Sequence, residues 1–188
     1  MPSFASFFFL AILTQAGNIH AAELSDAEKQ TLELCVLGLM YEKGHGVPKD
    51  EVEAEKWYQK GAEQGEGMCQ AGLRAMYEKR GMSKKDIEAA QIRWEQKAAE
   101  QGHADSQFYL GVRYFEGEGV KKDVFKAAAW YKKAAEQGHI NAQYSLGLLY
   151  GTGEGVIRDR KKACDLIRAA AEQGNKRAIE FYNKHCAK

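Results

Sequence analysis

The chain has 188 residues, 45% of them hydrophobic and 28% charged, a composition that excludes a disordered protein and suits a folded domain. Lysine and arginine number 27 against 26 acidic residues, and no long block of one sign occurs, so the electrostatic footprint of a nucleic-acid binder is missing. Pro2 and Pro48 are the only prolines, and Pro48 falls in a predicted turn, leaving every predicted helix free of its strongest breaker.

Residues 1–22 contain no Asp, Glu, Lys or Arg, and Phe4 to Leu13 form a short apolar run. This pattern predicts a secretory signal peptide. The run is too short for a membrane span, which needs about 20 apolar residues. Its leading end lacks a basic residue, and His20, Ala21 and Ala22 match the small-x-small cleavage rule imperfectly. No cysteine stands just after the run, which argues against a lipid anchor. The expected location is periplasmic or secreted, with no stable membrane span after cleavage.

Beyond the leader, Ala-Glu-Gln-Gly occurs four times, ending at Gly65, Gly102, Gly138 and Gly174. A period of this length marks a supersecondary unit that cannot bury its apolar face alone, so copies must stack into a solenoid. Within each unit, Leu37-Gly38, Leu110-Gly111 and Leu146-Gly147 are followed three residues later by Tyr41, Tyr114 and Tyr150, one face of a first helix, A. Gly44-x-Gly46-Val47, Gly117-x-Gly119-Val120 and Gly153-x-Gly155-Val156 supply a tight turn. Asp50, Asp86, Asp123 and Asp159 stand near the start of a second helix, B, where a carboxylate caps free amides. Helix B presents Ala54, Trp57 and Gly61 in copy one and Ala127, Trp130 and Ala134 in copy three, with the tryptophan expected to fill the space between helices. Each B helix is predicted to stop at the glycine of Ala-Glu-Gln-Gly.

Copy two departs from this pattern. Arg74 follows Leu73, the turn reads Arg80-Gly81-Met82-Ser83, and one extra residue separates Asp86 from Trp94, so its turn and helix B are expected to be irregular. Copy four has Leu166 in place of tryptophan. Residues 175–188 continue the register as a lone, polar capping helix.

Together, Leu-Gly-x-x-Tyr, Gly-x-Gly-Val, the turn aspartate, Lys126-Ala127 with Trp130-Tyr131, and Ala-Ala-Glu-Gln-Gly resemble the Sel-one-like repeat, a relative of the tetratricopeptide repeat. The resemblance implies an all-α, right-handed superhelix of four antiparallel helix pairs over residues 23–174, divided near 30–65, 66–102, 103–138 and 139–174. It also implies A helices lining a concave groove, and an adaptor or scaffold role.

If so, the register places Leu32, Cys35 and Leu39, then Met68, Ala71 and Ala75, then Asp105, Phe108 and Val112, then Asn141, Tyr144 and Leu148 on the groove, with Arg177, Glu180 and Lys184 beyond. Exposed aromatics such as Phe108 and Tyr144 are the type that anchors interfaces, although large apolar side chains in repeats also serve as core. The expected partner is a protein or peptide held in this groove.

Chemistry has less support. His103 and His139 recur with the repeat, about one unit apart, so they do not share a metal ion, and neither metal nor cofactor is expected. Gly117-x-Gly119 lacks the preceding strand that a phosphate-binding loop needs, and no serine sits in a nucleophile elbow. Four cysteines, Cys35, Cys69, Cys164 and Cys186, form an even set that favours disulfides in an oxidising compartment. Cys164 and Cys186 lie at similar levels of an antiparallel hairpin about Gly174, leaving Cys35 to pair with Cys69; the alternative is four buried thiols. The cysteines do not recur with the period, as they do in the cysteine-rich branch of the resembling family. That departure argues against the second reading, an envelope-directed hydrolase or penicillin-binding protein like those suggested for that branch. Export is tested by mass spectrometry of protein from its native cell: the expected N-terminus lies between Gly17 and Leu24, whereas an intact Met1 in a cytoplasmic fraction contradicts it.

Overall fold

The computed structural model of the protein describes residues 26–187; the expected signal peptide lies outside them. Among the described residues there are nine helices and no strand: α1 (Asp26–Lys43), α2 (Glu51–Glu63), α3 (Gly67–Lys79), α4 (Lys84–Glu100), α5 (Ala104–Glu116), α6 (Val124–Glu136), α7 (Ile140–Thr152), α8 (Arg160–Glu172) and α9 (Lys176–His185). Consecutive helices pack in chain order, α1 also meets α3, and α2 meets α4, so the chain is a stack of helix pairs. The pairs are α1–α2, α3–α4, α5–α6 and α7–α8, with α9 docked on α8.

Capping chemistry starts and stops these helices. Asp50, Asp123 and Asp159 cap α2, α6 and α8, each side chain accepting from backbone N–H groups of the first turn. Copy two differs from expectation: Ser83 rather than Asp86 caps α4. Ser83 Oγ accepts from the Asp86 N–H at 3.2 Å and donates to Asp86 Oδ2 at 2.6 Å. The expected irregularity of this helix is not observed. Without the Gly-x-Gly turn, α4 starts earlier and runs as a regular helix of 17 residues, against 13 for α2, α6 and α8.

Three of the four pairs close over a glycine, and α3–α4 carries Arg74 at that position. A Cβ built on Gly111 of α5 would lie 2.6 Å from the Tyr131 ring of α6, and one on Gly147 of α7 would lie 2.6 Å from Ile167 of α8. Tyr58 of α2 is wedged between two such glycines, Gly38 of α1 and Gly72 of α3. Helix separation is therefore set by an aromatic or branched side chain lying directly on bare backbone.

This packing corrects the expected role of Trp130. Tyr131, one residue on, is the buried side chain, at 4% exposure, and burial pushes its hydroxyl pKa up to about 12. Trp130 is half-buried, with the Lys133 ammonium 4.0 Å from its ring centroid. Trp57 and Tyr58 divide the same way. One residue rotates a helical side chain by roughly 100°, so neighbouring aromatics cannot share the seam.

The glutamine of the Ala-Glu-Gln-Gly motif ties the two helices of repeats three and four together, and in repeat three the link reaches the preceding repeat. Gln137 of α6 donates to Gln107 Oε1 of α5 at 2.7 Å, and Gln107 donates in turn to the Ala99 carbonyl of α4 at 3.1 Å. Gln173 reaches Gln143 in the same way at 2.8 Å. Gln107 and Gln143 are buried, so these amides satisfy one another where water is excluded. The second turn glycine brings the repeats close: a Cβ on Gly155 would meet the Val124 carbonyl oxygen at 2.3 Å.

One junction replaces apolar packing with charge. Glu95 occupies the position of Tyr58, Tyr131 and Ile167, and Arg113 that of Met76 and Leu149. The two form a bidentate pair between α4 and α5, with Arg113 Nη2 3.0 Å from Glu95 Oε1. This bond holds the Arg113 guanidinium pKa above its ordinary value.

Tyr131→Ala is expected to cost about 3–5 kcal/mol, as for aromatic truncations in a core. Trp130→Ala is expected to cost roughly 1–2 kcal/mol, within the range for partly exposed sites. Equal midpoint shifts for the two in urea unfolding contradict this assignment.

Candidate partner-binding site

The helices α1, α3, α5 and α7 carry the residues that the register assigns to a groove. Among them Leu39 and Met68 are exposed at 39% and 51%, and Ala71, Ala75, Asp105 and Asn141 are also exposed. Phe108, Val112, Tyr144 and Leu148 are half-buried. Phe108 and Val112 pack against the core formed by Ala127, Tyr131 and Leu146, while Tyr144 and Leu148 pack against Ile167, Ala170 and Ala178. These four thus divide their surface between core and solvent. The side chain of Leu32 lies outside the described set.

Cys35 does not belong on that surface. It is 1% exposed and bonded to Cys69, joining α1 to α3 with a Cα–Cα distance of 5.0 Å. The disulfide rests on α2 at Gly61, where an added Cβ would lie 2.1 Å from Cys69 Sγ and 3.4 Å from Cys35 Sγ. The corresponding positions in later repeats are Ala98, Ala134 and Ala170. Glycine at this one helical position makes room for the sulfur atoms. The second disulfide joins Cys164 of α8 to Cys186, the residue that ends α9. All four cysteines are paired.

The polar members of the row are fixed by contacts between repeats. His139 caps α7: its Nδ1 accepts from the Ala142 N–H at 3.1 Å. The ring proton of neutral His139 is therefore on Nε2, which lies 3.2 Å from Asp105 Oδ1. One repeat later Asn175 donates to Asn141 Oδ1 at 3.1 Å. Phe108 stacks on the His139 ring with centroids 4.6 Å apart, and meets Tyr131 at 5.7 Å. Its orientation is set before any partner arrives.

Tyr109 was not assigned to the row, yet it is 58% exposed and lies 5.5 Å from Phe108. The signal was present in the repeat alignment. Its counterparts are Val36, Gly72 and Ser145, all smaller, so the aromatic is particular to repeat three. Among the described residues no group of three metal-ligating side chains converges, and no helix is long and apolar enough to cross a membrane.

The Sel1 repeat family matches the chain at residues 34–66, 65–103, 104–139 and 140–175. The chain belongs to the Sel1 repeat family. Members are commonly protein-interaction scaffolds and are generally not enzymes. A protective antigen of uropathogenic Escherichia coli displaying the SLR fold is 36% identical, with a TM-score of 0.60 over 82% of this chain and 33% of that one. A Sel1 repeat protein from Oxalobacter formigenes is 34% identical, with a TM-score of 0.64 over 82% of this chain and 45% of its own. The chain therefore spans less than half the length of either. Cysteine rich protein B of Helicobacter pylori is 27% identical, with a TM-score of 0.52 over 71% of this chain and 95% of its own. No curated protein matches.

Gly61→Ala tests the disulfide seat. In the oxidised protein it is expected to destabilise by roughly 1–3 kcal/mol through overpacking. In a Cys35→Ala/Cys69→Ala background the same change is expected to be neutral or to stabilise by up to about 1 kcal/mol, because alanine favours helix. Equal effects in both backgrounds, measured by urea unfolding, contradict the coupling.

Proposed function

We propose that the protein is an exported scaffold that holds a protein or peptide partner along the face formed by its A helices. The observation that carries this reading is the aromatic cluster of Phe108, Tyr109 and His139, half in solvent and pinned from beneath by Tyr131. Rigid aromatics with one open edge supply contact area at little entropic cost, and such residues dominate binding energy at interfaces. Leu39 and Met68 extend the apolar part of the face toward the N-terminal repeat, while Asp105 and Asn141 add polar contacts beside it.

Two disulfides support an oxidising location, because paired cysteines persist in secreted and periplasmic proteins and are rare in the reducing cytosol. The cysteine-rich relative and the charge-free leader support the same location.

Phe108→Ala combined with Tyr144→Ala is expected to weaken partner binding by about 2 kcal/mol or more. Some stability is lost as well, since both rings touch core. Lys85→Ala, an exposed position on α4, serves as the control and is expected to stay within about 0.5 kcal/mol in both readouts. Calorimetry with a partner captured from the native envelope checks this, and binding lost with Lys85 but kept in the double variant contradicts the assigned face.

A further inference from the structure

Three of the four B helices carry Trp-x-x-Lys at one register position: Trp57 with Lys60, Trp94 with Lys97, and Trp130 with Lys133. The fourth has Leu166 and Ala169. Both replacements are smaller, and they stand one helical turn apart on the same face of α8.

The intact junctions show what the position does. Between repeats one and two, Trp94 is 6% exposed and packs on Tyr77, with ring centroids 5.9 Å apart. In repeats one and three the lysine ammonium lies over the indole, at 5.6 Å for Lys60 on Trp57 and 4.0 Å for Lys133 on Trp130. At the first junction the indole is part of the core and Lys97 beside it pairs with Glu63 at 2.7 Å, while in repeats one and three the lysine covers the ring.

Between repeats three and four the rest of this framework is kept. Leu146 and Tyr150 stand where Leu73 and Tyr77 stand at the first junction, and Ala135 stands where Ala62 does. With the indole and lysine absent, a cleft of about 410 Å³ opens among α6, α7 and α8. Its floor and walls are Ala135, Leu146, Tyr150, Leu166 and Ala169. This volume lies in the range of about 300–1,000 Å³ found for binding pockets. None of the lining residues belongs to α9, and neither Phe108 nor Tyr144 is among them.

We propose that this cleft is a second binding site, which takes the indole side chain of a tryptophan presented by a partner protein. The framework that receives Trp94 at the first junction is reproduced around Tyr150, so the vacant space has the contacts an indole uses in this same fold. The charges at the rim select neither anion nor cation, because each has an opposite charge beside it. Lys132 lies 3.8 Å from Glu136, Lys162 lies 3.8 Å from Asp159, and Asp165 pairs with Arg168 at 3.1 Å. A neutral aromatic suits such a rim. The Lys162 ammonium, 5.5 Å from the Tyr150 ring centroid, already covers one side of that ring.

The probe is N-acetyl-tryptophanamide, titrated into the isotope-labelled full chain and followed by amide NMR. Shifts are expected to be confined to the lining segments of α6, α7 and α8, with a dissociation constant on the order of millimolar for a ligand of this size. N-acetyl-leucinamide is expected to bind about tenfold more weakly, since it cannot reproduce the stacking. Leu166→Trp restores the indole from within the chain; it is expected to raise the thermal midpoint and to weaken probe binding by about tenfold or more through occupancy of the site. Ala169→Lys, which returns the covering stem, is the second variant should the first fail to fold, and it too is expected to weaken the probe. Shifts elsewhere or none, equal binding of the leucine amide, or undiminished binding in both variants overturns the proposal. So does self-association in sedimentation that shifts these same residues without probe, which assigns the cleft to a second copy.

Discussion

Three of the four helix pairs depend on the contact between a bare glycine backbone on one helix and a large side chain on the other. At Gly38, Gly111 and Gly147 a β-carbon would lie 2.6 Å from the opposing Tyr58, Tyr131 or Ile167. No side-chain adjustment accommodates a methyl there without moving the helices apart, because the intruding atoms belong to a rigid ring or a branched chain. The seam is therefore narrow, and it excludes the neighbouring tryptophans. Trp57 and Trp130 are left half-buried beside it, each with a lysine ammonium over its indole.

Stacking the pairs poses a different problem, since two helices in contact still leave helix ends and amides to be satisfied. The glutamine of Ala-Glu-Gln-Gly resolves much of it. In repeats three and four its side chain spans from the end of helix B to a buried glutamine on helix A, and in repeat three the relay continues to a carbonyl of the preceding repeat. The motif thus combines a strut with a glycine stop. In the turns, the first glycine ends helix A in a left-handed conformation, and the second permits close approach to the neighbouring unit.

Departures from the repeat come in sets, and most of them compensate one another. Gly61 replaces alanine where a disulfide lies against the helix. Glu95 replaces a core aromatic, and Arg113 replaces a core aliphatic residue opposite it, giving a bidentate ion pair in place of apolar packing. Such a pair is weak evidence for added stability but strongly resists the loss of one member. Copy two exchanges its glycine turn for a serine-capped, longer helix. Leu166 and Ala169 differ in kind. Both shrink the same spot, no other described residue fills it, and a cleft results.

The all-helical fold and its period were legible from sequence because the determinants are local: glycines for turns, aspartates for caps, and the recurrence of Leu-Gly-x-x-Tyr. The cysteine pairs were legible too, since hairpin arithmetic about Gly174 brings Cys164 level with Cys186. Exposure along the candidate face was only partly legible. Register placed Met68, Asp105 and Asn141 in solvent, but it also placed Cys35 there, where a disulfide buries it, and it omitted Tyr109. The choice between Trp130 and Tyr131 for the seam was open to neither pattern nor propensity. Both are aromatic and adjacent, and only the angular phase of two packed helices decides which one meets the glycine. Likewise, the replacement of tryptophan by Leu166 is visible as a letter, but the space it leaves is a property of three helices meeting, and tertiary packing alone determined that it stays open.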